Sequence, residues 1–145
     1  PDQPEESRAV EWVAYASNAF NTMVPFYANV ERTPEYLANT TGTVSTDNFY
    51  WTSRLIAAMA DASYNKSLFH LERYEEAVLS AGRALVNQYD AKLAAEPDAA
   101  RRAALREEAN TAIAAMLQEK AADTLDKVLF ELSSQMKNAY SRSDA

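Results

Sequence analysis

The stretch "LAAEPDAAR", residues 93 to 101, interrupts a helical pattern that otherwise runs from residue 68 to residue 141. Before it, apolar residues recur at helical spacing and predict a helix from Leu68 to Ala95. After it, the absence of Pro and Gly predicts a second helix from Asp98 to Ser141. The sequence therefore predicts a mainly α fold, a helical bundle with a long antiparallel helical hairpin over residues 68–145.

Apolar positions mark the faces that the two helices are predicted to bury. In the first helix they are Leu71, Tyr74, Val78, Leu85, Tyr89 and Lys92 or Leu93, with Gly82 allowing the close approach of a neighbour. In the second they are Ile113, Met116, Leu117, Ala121, Leu125, Val128, Leu132 and Met136.

Composition and charge agree with one helical region over residues 1–145. Apolar residues make up 48% of the chain and only two glycines occur, which argues against a sandwich or barrel with many tight turns. The formal net charge of −7 would repel a phosphate backbone, so no nucleic-acid partner is expected. No membrane partner is expected either, because no apolar run approaches the ~20 residues that span a bilayer.

The part of the chain before the hairpin is less regular. Apolar spacing after Pro4 predicts a first helix over residues 4–21. "NTMVPFYANV", residues 21–30, is predicted to be extended, and Pro25 favours an edge strand or an irregular segment over a central strand. A short extended segment and a long loop are therefore expected near residues 22–46.

Three adjacent aromatic residues, Phe49 to Trp51, stand in "TDNFYWTSRLIAAMAD", residues 46 to 61. A helix is predicted from about Asp47, with Trp51 mostly buried. Arg54, one turn further on, is predicted to be tied to a loop carbonyl or to a carboxylate, with Asp47 and Asp61 nearest in sequence. The predicted apolar stripe consists of Trp51, Leu55, Ala58, Met59 and Ala62.

These residues lack the groups of a complete active site. The sequence has no cysteine for a thiol nucleophile or a thiolate metal site, and His70 is its only histidine. His70 lies in no nucleophile motif, and neither a glycine-rich phosphate loop nor a Glu-x-x-His pair occurs. We therefore expect no catalytic residue, no metal and no cofactor within this chain.

Three segments in the first half together resemble one known family. They are Val24 to Tyr27, Thr33 to Tyr36, and the set Asp47, Asn48, Tyr50, Trp51 and Arg54. Their order and spacing are similar to the C-terminal part of the cysteine dipeptidases of the N-terminal-nucleophile hydrolase superfamily, which are relatives of penicillin V acylase and bile-salt hydrolase. Asn48 stands where Ser is common in the family. The specific resemblance covers about residues 12–64.

The resemblance implies that residues 1–145 are the C-terminal part of a larger dipeptidase, which agrees with a chain that does not begin with Met. Such enzymes lose a leader and expose an N-terminal cysteine, whose thiolate attacks the peptide carbonyl with its own α-amino group as base. That cysteine lies in an αββα domain that precedes the resembled region, so the chain alone is expected to be inactive as a peptidase.

The implied partners are the N-terminal catalytic domain of the same protein and, in the intact enzyme, the dipeptide substrate. Residues 1–67 would then be an aromatic docking portion, with "MVPFY" running along the sheet of that domain. The candidates for substrate binding or domain docking are Phe26, Tyr27, Asn48, Tyr50, Trp51 and Arg54.

Two other classes of function stay open at this point. One is a helical protein-interaction module with no catalytic role, and the other is a bundle that holds an apolar ligand. The sequence also leaves a homo-oligomer open. A cytoplasmic location is expected, although the true N-terminus is not in this chain.

Overall fold

The computed structural model describes residues 10–16, 21–28, 30–38 and 42–143, and the account below is confined to them. The elements in these ranges are β1 (Val10–Ala16), β2 (Asn21–Tyr27), α1 (Glu35–Ala38), α2 (Phe49–Ala62), α3 (Tyr64–Ala95) and α4 (Ala99–Ser143). The prediction of a mainly α fold is confirmed. None of the helices in the described ranges has a stretch long and apolar enough to cross a lipid bilayer.

The long helices α3 and α4 form the predicted antiparallel hairpin. Asp98 caps the start of α4, because its Oδ2 accepts a hydrogen bond from the backbone N–H of Arg101 at 3.0 Å. Arg102 holds the preceding turn by donating from Nη1 to the carbonyl of Glu96 at 2.7 Å. At the far end of the hairpin His70 Nε2 lies 3.3 Å from Glu131 Oε1, 61 residues away in sequence.

The main core lies where α2, α3 and α4 meet β2. Its large apolar members are Val24, Phe49, Ile56, Leu71, Tyr74, Val78, Ile113, Leu117 and Val128. Each such buried side chain contributes roughly 1.5–3 kcal/mol to folding. The faces predicted for the two long helices agree with this core at most positions, and Leu93 rather than Lys92 is the buried residue near the end of α3. Met136 is a wrong prediction, since it is 63% exposed.

The predicted first helix over residues 4–21 is wrong where the structure describes it. Val10–Ala16 is a strand, paired antiparallel to β2 with Val10 opposite Tyr27 and Ala16 opposite Asn21. Residues 1–9 and 17–20 lie outside the described residues. In "VEWVAYA" apolar residues occur at both odd and even positions. The pattern therefore lacks the alternation of a half-buried strand and also fits a helix. Its β-branched and aromatic residues favour a strand once a partner strand is present.

Strand β2 lies between β1 and the hairpin, and it confirms the extended segment expected near Pro25. Val24, Pro25 and Tyr27 are all buried, so both faces of this strand are covered. A Cβ at Gly82 would lie 2.7 Å from Pro25 Cδ, closer than van der Waals contact permits. Gly82 therefore allows the close approach that the sequence predicted, and the neighbour is β2.

Helix α2 buries a different face from the predicted stripe. The buried residues are Phe49, Thr52, Ile56 and Ala60, whereas Ala58 and Ala62 of the stripe are exposed. The reason is Thr52, whose Oγ1 donates a hydrogen bond to the carbonyl of Asn48 at 3.0 Å. Thr52 can thus be buried, and the buried face of α2 is rotated relative to the stripe predicted from apolar residues alone.

The break between α2 and α3 is shorter than predicted. The helix predicted from Leu68 begins at Tyr64, and only Ser63 separates it from α2. Ser63 Oγ lies 3.1 Å from the carbonyl of Met59 and 2.9 Å from Ser67 Oγ. Its hydroxyl therefore has hydrogen-bond partners on both of the helices that it separates.

Candidate functional site

The start of α2 is fixed by Asn48. Its backbone is extended, with φ −130° and ψ 132°, and its side-chain oxygen accepts a hydrogen bond from the N–H of Trp51 at 3.4 Å. Asn48 is buried, so it acts as the N-cap of the helix. Ser and Asn are both good N-cap residues, which explains physically why either can stand at this position.

The three adjacent aromatic residues point in two directions. Phe49 is buried in the main core, with its ring centroid 5.7 Å from that of Tyr36. Tyr50 and Trp51 form an edge-to-face pair, with ring centroids 5.0 Å apart and an interplanar angle of 81°. Tyr50 is 44% exposed and Trp51 is half-buried. The expectation that Trp51 is mostly buried is therefore met only in part.

Arg54 completes a surface group with these two rings. Its guanidinium carbon lies 5.4 Å from the centroid of the Tyr50 ring, one helical turn back. The predicted ion pair with Asp47 or Asp61 is wrong, because neither carboxylate pairs with Arg54 within the described residues. We call Tyr50, Trp51 and Arg54 the outer aromatic cluster.

The other two candidate residues belong to β2 and contact the core. Phe26 is half-buried against the main core. Tyr27 is buried, and its hydroxyl donates to Asp90 Oδ1 at 2.7 Å. The structure thus separates the six candidates into an internal group, Phe26, Tyr27 and Asn48, and the outer aromatic cluster. Of the six candidates, Tyr50 and Arg54 of the cluster have exposed side chains.

Electrostatics favour the neutral form of the Tyr27 phenol. Burial raises the pKa of its phenol far above the ordinary value, and the hydrogen bond to the Asp90 carboxylate raises it further. The phenol therefore keeps its proton at neutral pH and acts as a donor to Asp90, which ties β2 to α3.

An open groove of about 590 Å³ lies between the outer parts of α3 and α4. Phe69, His70, Arg73 and Thr124 line it, together with one carboxylate of α3 and two lysines and a carboxylate of α4. Arg73 lies over the Phe69 ring at 4.4 Å, and Lys127 is paired with Asp123 at 2.7 Å.

Within the described ranges, no group of three or more His, Cys, Asp or Glu side chains is close enough to hold a metal ion. His70 instead faces Glu131, as a structural histidine would.

Comparison with known proteins identifies the family. The sequence model of peptidase family C69 matches residues 1–77, a little more than half of the chain. The chain therefore belongs to peptidase family C69. The match includes Val24 to Tyr27 and Asp47 to Arg54, and it confirms the resemblance that these segments indicate.

Several curated proteins are similar along nearly the whole chain. A probable dipeptidase A of Streptococcus pyogenes (serotype M18, strain MGAS8232) is 42% identical over 99% of this chain and 29% of its own length. A dipeptidase of Bifidobacterium longum (strain NCC 2705) is 35% identical over 99% of this chain and 34% of its own length. A dipeptidase A of Lactobacillus helveticus is 40% identical over 43% of this chain and 13% of its own length. The chain thus spans about a third or less of the length of these relatives.

One important residue escaped the sequence analysis. Asn110 is buried on α4 and binds the backbone of Tyr27 with both ends of its amide, at 2.8 and 2.9 Å. The available signal was a lone amide in an alanine-rich helix, one turn before Ile113 on the buried face. A polar residue at such a position needs a specific partner.

Proposed function

We propose that this chain is the C-terminal part of a cysteine dipeptidase and that it docks against the catalytic domain of that enzyme. The observation that carries the proposal is the 42% identity to a probable dipeptidase A over 99% of this chain. The intact protein would hydrolyse dipeptides. Since the 145 residues include no cysteine, the thiol nucleophile would belong to the rest of the polypeptide.

The outer aromatic cluster is the docking surface in this proposal. Tyr, Trp and Arg are the residue types enriched in the energetically important parts of protein interfaces. Here the backbone beneath them is held by the Asn48 cap, and Phe49 anchors the same helical turn in the core. The cluster is therefore ordered before it meets a partner, which lowers the entropy cost of binding.

The test uses the full-length protein and two tyrosines of nearly equal exposure. Tyr50, in the cluster, is 44% exposed, and Tyr64, at the start of α3, is 46% exposed. If the cluster docks on the catalytic domain, Tyr50→Ala lowers the melting temperature, and the kcat/KM per folded molecule for dipeptides stays close to wild type. Tyr64→Ala, the matched control, changes neither quantity.

The other outcomes are equally informative. A Tyr50→Ala variant that loses kcat/KM at an unchanged melting temperature would place the cluster in the substrate cleft and contradict docking. Equal behaviour of the two tyrosine variants would contradict both roles. A wild-type full-length protein that turns over no dipeptide from a broad panel would refute the dipeptidase proposal itself.

A helical interaction module is the second candidate function, and one observation favours it. Phe130 is 71% exposed and Met136 is 63% exposed, both on the C-terminal half of α4. Large exposed apolar side chains on one helix suit a protein contact, for example with a second copy of the protein. Loss of a larger assembly on Phe130→Ser, measured by light scattering, would support this function, and an unchanged mass would contradict it.

We also propose a cytoplasmic location for the intact protein. Fractionation of cells that express it from its own gene tests this, and recovery in the culture medium would contradict it.

A further inference from the structure

We propose that β1 is not an edge strand in the intact protein. Its outer edge pairs with a β-strand from the part of the polypeptide outside these 145 residues. This rests on the proposed function in one respect, that the polypeptide is longer than the chain described here. The Streptococcus pyogenes relative supports that premise, because the aligned region is 29% of its length.

The hydrogen bonds of Tyr27 show which groups of β1 point outward. Both backbone polar groups of Tyr27 are bound by Asn110, so they cannot also bind Val10, the residue opposite. In an antiparallel pair, bonded and non-bonded pairs of residues alternate along the strands. Counting from Val10, the residues that bind β2 are Glu11, Val13 and Tyr15. The N–H and C=O groups of Trp12 and Ala14 therefore point away from β2.

Pro25 is consistent with this assignment. It lies opposite Trp12, in a pair that exchanges no hydrogen bonds, so the missing N–H of the proline costs the β1–β2 ladder nothing.

The two outer edges of the small sheet differ in how far their backbone polar groups are protected. The edge of β2 is covered, because Asn110 occupies the polar groups of Tyr27 and Pro25 offers no donor. The residues of β1 include few of those that usually protect a sheet edge. "VEWVAYA" contains no proline, no lysine and a single charge, Glu11. Among the described elements β1 packs chiefly on β2, while β2 also packs on α3 and α4.

Exposure agrees with a missing neighbour. Trp12 on β1 and Met23 on β2 are both exposed, and Ala14, opposite Met23, is exposed as well. A two-stranded sheet is marginal alone, and an unprotected apolar edge invites pairing with another strand. A strand of the same polypeptide is favoured over a second copy. The reason is that covalent linkage makes the pairing intramolecular, so it does not depend on the protein concentration as pairing with a second copy does.

The first experiment is hydrogen exchange on the full-length wild-type protein, read at single residues by fragmentation in the mass spectrometer. Val13 is the internal reference, because its N–H is bound to β2. If the outer edge is paired, the Trp12 and Ala14 amides exchange within about tenfold of Val13. If it is free, they exchange more than about a hundredfold faster than Val13, which would overturn the proposal. Protection that disappears on dilution would also overturn it, since the neighbour would then be a second copy.

The second experiment compares two substitutions at one position of the full-length protein. Ala14→Ser keeps the outward N–H, and Ala14→Pro removes it. Pairing predicts that Ala14→Pro melts more than about 3 °C below Ala14→Ser. Equal melting temperatures would show a solvent-facing N–H and overturn the proposal. Dipeptide hydrolysis is measured on the same wild-type preparation. Its absence would refute the proposed function without changing the exchange result.

Discussion

The side-chain amide of Asn110 forms two hydrogen bonds with the backbone of Tyr27. Its Oδ1 accepts from the Tyr27 N–H at 2.8 Å, and its Nδ2 donates to the Tyr27 carbonyl at 2.9 Å. The two residues are 83 positions apart in sequence and both are buried. A single side chain of α4 thereby binds β2 as a neighbouring strand would.

Replacing Asn110 should therefore be costly. Asn110→Ala leaves a donor and an acceptor of Tyr27 buried without partners, and we expect a loss of about 2–5 kcal/mol in the free energy of unfolding. Thr111→Ala is the control, because Thr111 is exposed and its hydroxyl only binds the carbonyl of Glu107 in its own helix. Urea denaturation of the full-length protein measures both, and equal stabilities would contradict the role of the amide.

The two glycines provide a matched pair. Gly82→Ala would place a methyl group 2.7 Å from Cδ and 3.1 Å from Cγ of Pro25, in a ring that cannot rotate away. We expect a net loss of about 1–3 kcal/mol, since overpacking exceeds the gain in helix propensity. Gly42→Ala meets nothing within 4 Å and should change stability by less than about 0.5 kcal/mol. A Gly82→Ala protein as stable as Gly42→Ala would show that β2 can move away from α3.

Phe49 and Trp51 should differ although they are two residues apart. Phe49→Ala removes a ring from the main core and should cost about 3–5 kcal/mol. Trp51 is half-buried on the outer side of the same helix, so Trp51→Ala should cost less than Phe49→Ala. Thermal melts of both variants in the full-length protein check the order. If Trp51→Ala proves the more destabilising, the Trp51 ring is buried by the rest of the polypeptide.

Alkaline pH should destabilise the fold through Tyr36. Burial raises the pKa of this phenol to about 12, above the ordinary value of 10.0. The folded state therefore retains a proton that the unfolded state loses. The stabilisation is complete below about pH 10 and falls between about pH 10 and 12, at up to about 1.4 kcal/mol per pH unit.

The variant Tyr36→Phe isolates this contribution. It cannot ionise at residue 36, so its free energy of unfolding should fall less steeply across that pH range than that of the wild type. Denaturant titrations at a series of alkaline pH values provide the comparison. Parallel pH profiles for the two proteins would exclude Tyr36 as a source of the alkaline loss.

The hairpin was predictable because α3 and α4 are long and each buries a repeated apolar face. The predictions were wrong where the helical pattern was short or where a polar residue is buried in the core. The spacing of "VEWVAYA" fits a helix and a strand equally well, and only pairing with β2 decides between them. In α2 the buried Thr52 shifts the core face, because its hydroxyl is satisfied by the carbonyl of Asn48.

The sequence motifs indicate a set of candidate residues, with 47–54 among them, and not their arrangement. The opposite directions of Phe49 and Tyr50 follow from the rotation of α2 set by Thr52 and Ile56. Likewise, nothing local to Tyr27 reveals its partners Asp90 and Asn110, which lie on the two long helices. Long-range side-chain hydrogen bonds leave no periodic signal in a sequence.

The Asn110 amide also selects the register of β2 against the hairpin. A slip of one residue would bring Phe26 to the amide, and the backbone polar groups of Phe26 are turned towards β1. A slip of two residues in the same direction would bring Pro25, which has no N–H to give. In neither of these two registers would both the Oδ1 and the Nδ2 of Asn110 find a partner in the backbone of β2. Since β1 follows β2 residue by residue, one side chain on α4 sets the position of both strands along the hairpin.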